Sequence, residues 1–232
     1  MTIHDIMYLS ILGTGAISLI ILYSLLRKSA KKLPGGWKKS LPSRNFRLSV
    51  LFLMISLLII FIGEMTAIQL GRHGIYNSFV ISINWTLFTP FLFGFLFIHT
   101  SKIWKRSIYI VLYLILVGYL IRGGYYHPSC ILQNTSVLLF SSICFLAALV
   151  HLTDLLVNPK SEHFKFQLKV TICLLIYNIL GAITTAFWWS FLTKDQPYSN
   201  LIYYIHFYNI FLFYFSLALV FIIEILKLRR VL

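Results

Sequence analysis

The chain has 232 residues, of which 59% are hydrophobic and only 11% charged, with a mean hydropathy of +0.85. A water-soluble domain carries about a quarter charged residues, so the composition excludes one. The formal net charge of +14 would point to nucleic acid in a soluble protein, but here the cations sit in the connections between apolar runs, where they encode orientation.

Seven apolar runs predict an all-α integral membrane fold. One transmembrane bundle occupies residues 1–232, with spans at about 7–26, 48–70, 78–99, 107–121, 135–157, 170–192 and 201–226. Met-Thr-Ile-His-Asp-Ile precedes the first run without a Lys or Arg, and a basic cluster follows it, so the run reads as a retained helix and not as a signal peptide. Gly13, Gly15 and Ala16 give that helix a close-packing face. The connection from Arg27 to Arg47 holds eight cations together with Pro34, Gly35, Gly36 and Pro42, which predicts an irregular loop lying on anionic headgroups.

The second run carries Glu64 about six residues below its end, and the third carries Asn84, Trp85 and Pro90 before closing at His99. The fourth is shortest, and either Lys105 and Arg106 at its start snorkel to the surface or the bilayer thins slightly to meet it. Cys130 falls in the connection before the fifth run, which holds Cys144, His151 and Asp154. The sixth contains Cys173, Gly181, Ala182, Thr184, Thr185, Trp188 and Trp189, and the seventh Tyr203, Tyr204, His206, Tyr208, Asn209 and Glu224. No disulfide framework is indicated.

Eight of the 20 Lys and Arg residues lie between the first two runs and three each in 100–106, 158–169 and after Leu226. The alternate connections hold Arg72, Arg122 and Lys194. The positive-inside rule therefore places the C-terminus in the cytoplasm and the N-terminus outside. Pro90 has no counterpart in the sixth run, which weighs against the paired broken helices of an inverted-repeat transporter.

Ionisable residues at membrane depth are costly and mark functional sites by default. In the outer layer, Glu64, Asn84, Trp85, Trp188, Tyr204, His206 and Asn209 are the candidate ligand-binding residues, all within roughly 12 Å of the boundary at 1.5 Å per helical residue. Trp and Tyr also form plain interfacial belts. Glu64 and His206 are the candidate acid and base, and Arg72 and Arg122 are alternative partners for Glu64. In the inner layer stand His99, His151, Asp154 and Glu224. The spacing of His151 and Asp154 puts both on one helix face, as a weak metal candidate or, more simply, a hydrogen-bonded pair. A surface ion pair with Lys227 is the plain reading of Glu224.

No H-E-x-x-H, G-x-S-x-G or P-loop occurs, so no cofactor is expected. The seventh run has no mid-span lysine for a retinal Schiff base. With Glu64 near the end of the second run, Gly74-Ile75-Tyr76-Asn77 opening the third, and an aromatic, Asn209-bearing seventh, the chain resembles the small stand-alone seven-helix membrane proteins of bacteria. The resemblance implies topology and supplies no activity, and the Lys-, Ile- and Tyr-rich composition is compatible with a bacterial source. The expected function is a receptor-like or accessory module binding a small apolar ligand, lipid or membrane-protein partner, with a separate signalling protein to carry any signal onward. The alternatives are an intramembrane enzyme acting on a lipid-linked substrate, or a transporter or proton-coupled carrier.

Overall fold

The computed structural model describes residues 3–32, 43–73, 78–100, 102–119, 130–159, 163–192 and 196–231. These form helices α1 (Ile3–Lys32), α2 (Arg44–Arg72), α3 (Ser78–Ile98), α4 (Ile103–Tyr119), α5 (Cys130–Val157), α6 (Phe164–Leu192) and α7 (Gln196–Val231). Helix is the expected answer for apolar segments in hydrocarbon, because it satisfies every backbone polar group within the segment. Among the described residues, five stretches are long and apolar enough to cross a membrane, namely Leu9–Lys28, Arg44–Leu70, Val137–Val157, Phe164–Phe187 and Tyr208–Arg229. The chain is a multi-pass membrane protein. The apolar part of α3, Ile83–Ile98, is shorter, and α4 has 17 residues.

The helices outrun the apolar runs. α1 continues through Arg27 and Lys28 to Lys32, and α2 already begins at Arg44. The expected irregular loop is therefore helical at both ends, and its centre, with Pro34 to Pro42, lies outside the described residues. The early start of α2 has a local cause: the Phe46 amide donates to Ser43 Oγ at 3.2 Å, an N-cap that satisfies an otherwise orphaned donor. Cys130, expected in a connection, is the first residue of α5. Gly74-Ile75-Tyr76-Asn77, Arg122 and Lys194 lie outside the described residues.

Packing follows a closed circuit. α1 packs on α2, α2 on α3, α3 on α5, α5 on α6, α6 on α7, and α7 back on α1, while α4 packs on α3 and α5 from outside. On α4 only Lys105, Tyr109 and Leu116 are buried, and Ile103, Trp104, Ile110, Val111, Leu114 and Ile115 are exposed. The bundle's outer surface is apolar elsewhere too, at Ile17, Ile62, Ile176, Phe187 and Leu212. Lipid and core are both apolar, so a helix here is hydrophobic all round and its buried stripe is not marked by composition.

Two close approaches fix α2 against α3. A Cβ on Gly63 would stand 2.3 Å from Asn84 Cγ, and one on Gly94 would stand 2.8 Å from the Phe52 ring, so each glycine takes a side chain of the facing helix. Pro90, inside α3, has no N–H for the carbonyl of Thr86 one turn earlier. Tyr113 Oη of α4 donates to that carbonyl at 3.3 Å, so the proline that interrupts α3 also seats α4.

Candidate functional site

Side chains from α2 and α6 meet although these two helices are not neighbours in the circuit, so their contacts cross the interior. At one end the Phe46 ring of α2 stacks on His163, which precedes α6, with centroids 3.5 Å apart, and meets Phe166 edge-on at 5.3 Å. Phe166 in turn faces Phe221 of α7. Phe46 and Phe221 are fully buried. At the other end the Glu64 carboxylate of α2 lies within electrostatic range of the Tyr177 hydroxyl of α6, which is also in range of the Cys144 thiol of α5. Glu64 itself is half-buried on α2.

Small residues and amides pack between these helices. Asn84 is buried over Gly63, the residue before Glu64. Trp85, half-buried, stacks on Phe140 of α5 with centroids 4.9 Å apart. Asn209 of α7 is buried and donates from Nδ2 to the Tyr177 carbonyl at 3.1 Å, where Gly181 leaves room for Ser141 Oγ. The Tyr177 ring stacks on Phe213 at 4.2 Å. Asn209 accordingly ties α7 to α6 with its donor, a structural role that the sequence reading did not separate from ligand contact.

Of the other outer-layer candidates, Trp188 is on α6 and Tyr204 and His206 are on α7. Their side chains lie outside the described residues, as do those of Trp189, Tyr203 and Arg72. Tyr208 points outward and is 56% exposed, as expected of a belt residue.

The inner layer gathers more than the sequence suggested. Lys105 Nζ of α4 donates to Asp154 Oδ1 of α5 at 2.9 Å, with side chains 11% and 4% exposed. The expected snorkelling of Lys105 is corrected: it turns inward because a buried carboxylate awaits it there, whereas Arg106 turns back to donate to the Thr100 carbonyl at 2.8 Å. Tyr109 Oη and Thr100 Oγ1 share a hydrogen bond of 3.2 Å. His99, just beyond α3, meets Gln167 of α6 through Nδ1 at 2.9 Å. His151 stands beside this pair, fully buried, its ring centroid 6.5 Å from that of His99 and 6.1 Å from that of Phe95.

The expected hydrogen bond between His151 and Asp154 is not made, and neither ring nitrogen of His151 has a described partner. Among the described residues, no three His, Cys, Asp or Glu side chains are grouped to hold a metal ion. Asp154 is engaged by Lys105, and Glu224 pairs instead with Lys227 at 3.2 Å. The signal for this cluster was present in sequence as four polar residues at similar depth. Lys105 and Gln167 were missed as members because each lies near a helix start, where solvation is the ordinary expectation.

No family model, curated protein or solved structure matches this chain.

Proposed function

We propose that the chain is a seven-span protein of the bacterial inner membrane, with its N-terminus outside, that works as a receptor-like or accessory module. Its ligand is a small apolar molecule or lipid whose polar end is held at Glu64 between α2, α3 and α6. The supporting observation is that the half-buried Glu64 carboxylate of α2 lies within electrostatic range of Tyr177 of α6, in a bundle that carries the aromatic stacks Trp85–Phe140 and Tyr177–Phe213. Small-molecule sites of this kind are mostly apolar with a few placed polar groups that set orientation. The orientation is supported by the cations, since Arg27, Lys28, Arg44, Arg47, Lys102, Lys105, Arg106, Lys165, Lys169, Lys227 and Arg229 all fall at the end of the bundle opposite Glu64. The connections are short, so a signal passes to a separate membrane or signalling protein.

The test is native mass spectrometry of the protein extracted in mild detergent from bacterial membranes. Wild type is expected to retain a stoichiometric lipid or apolar metabolite, Glu64→Gln to lose at least 10-fold of that occupancy while keeping its helical circular dichroism, and Glu64→Asp to recover part of it. Equal occupancy in wild type and Glu64→Gln, or no retained species at all, would overturn the reading.

A further inference from the structure

The inner polar cluster contains buried nitrogen and oxygen atoms that the protein does not satisfy. His151 is 0% exposed, and its Nδ1 and Nε2, His99 Nε2 and Gln167 Oε1 are all buried without a described hydrogen-bond partner. Leaving one such group unsatisfied costs about 1–3 kcal/mol, and buried polar groups are nearly always paired, with protein or with ordered water. Several such atoms within one cluster would be satisfied by a shared hydrogen-bonding guest.

The spacing of the imidazoles selects the guest. Two rings joined directly by a hydrogen bond of about 2.9 Å have centres no more than about 5.1 Å apart, counting about 1.1 Å from each centre to its nitrogen. Two rings on one zinc, with bonds of about 2.0–2.1 Å, reach about 6.3 Å even when collinear, and a tetrahedral site brings them closer. One oxygen accepting or donating at about 2.9 Å joins centres up to about 8.0 Å apart. The observed 6.5 Å exceeds the first two limits and fits the third with an angle at the oxygen of about 110°, near the tetrahedral value that a water molecule prefers.

Polarity agrees. With the Gln167 amide nitrogen donating to His99 Nδ1, the proton of a neutral His99 sits on Nε2, a donor. Neutral His151 offers one donor and one acceptor, and Gln167 Oε1 a further acceptor. Water, which both donates and accepts, serves all of them, as buried water typically does with about three bonds to otherwise unsatisfied groups. We infer that His99 and His151 form a water-binding site, in which an ordered water held between the two imidazoles joins α3 to α5 beside the Lys105–Asp154 pair. This inference does not depend on the reading of Glu64.

The experiment is magic-angle-spinning NMR of ¹⁵N-histidine-labelled protein in lipid bilayers, with water-edited transfer to the imidazole nitrogens. Both buried rings are expected to receive magnetisation from water with hydrogen-bonded nitrogen shifts, and His99→Phe is expected to remove most of the transfer to His151. If that variant does not fold, the wild-type spectrum alone decides. Buried histidine signals without water transfer would overturn the inference. So would stoichiometric binding of Co²⁺ with a tetrahedral absorption band lost in His151→Phe, which would make the site a metal site.

Discussion

At the scale of single residues, the Lys105–Asp154 pair shows how burial decides the value of a charge. Two opposite charges out of water are weak evidence for stability, but removing one strands the other, at about 3–5 kcal/mol. The two halves are not equivalent. Lys105 is two residues inside α4, and its stem lets the ammonium retreat to the surface, whereas Asp154 is short and 4% exposed. Lys105→Met is therefore expected to lower the unfolding midpoint in detergent more than Asp154→Leu, by roughly 2 kcal/mol in equilibrium terms, and the double variant to recover most of the loss. Equal effects of the single variants would show that Lys105 has no route to water. The cost of a carboxylate at depth singled out Glu64 in the sequence, because that cost belongs to one residue and its position. The Lys105–Asp154 partnership, 49 residues apart, depends on the rotation of α4 against α5, which nothing local records.

Between elements, glycine on one helix and a side chain on the next set the α2–α3 contact. An alanine at position 63 would put its methyl into the Asn84 amide, and overpacking of this kind costs about 1–3 kcal/mol. Gly63→Ala is expected to destabilise by that amount, measured by thermal unfolding in detergent, and Gly63→Ala with Asn84→Ala to be milder than Gly63→Ala alone. The small residues of the sixth run were legible as a packing face, and Gly181 does admit Ser141 and lie near Asn209. Gly15, read in the same way, has nothing within 4 Å of the place a Cβ would occupy, because small residues permit an approach without specifying one. Helix ends were read short for a related reason: hydropathy stops at the first charges, but a Ser43 cap and solvated Arg44 carry the helix beyond the apolar core.

For the whole molecule, the cation distribution predicts which ends face the cytoplasm. On intact spheroplasts an impermeant thiol reagent is expected to label Cys130 and to leave a Ser40→Cys variant unlabelled, and the opposite pattern would invert the orientation. The seven described helices were legible as apolar runs, five of them holding a stretch long enough to cross a membrane, while their circular order was not, since neighbours in space follow from faces that composition leaves unmarked. That order has a temporal side. α1 is made before the other six described helices, yet one of its two partners in the circuit, α7, is made after them. Until then Leu12, Leu19 and Leu22, fully buried in the finished bundle, have only α2 to meet. α1 therefore waits through the synthesis of α3 to α6 without its second partner, and a chain stopped before α7 is expected to leave that face of α1 to lipid.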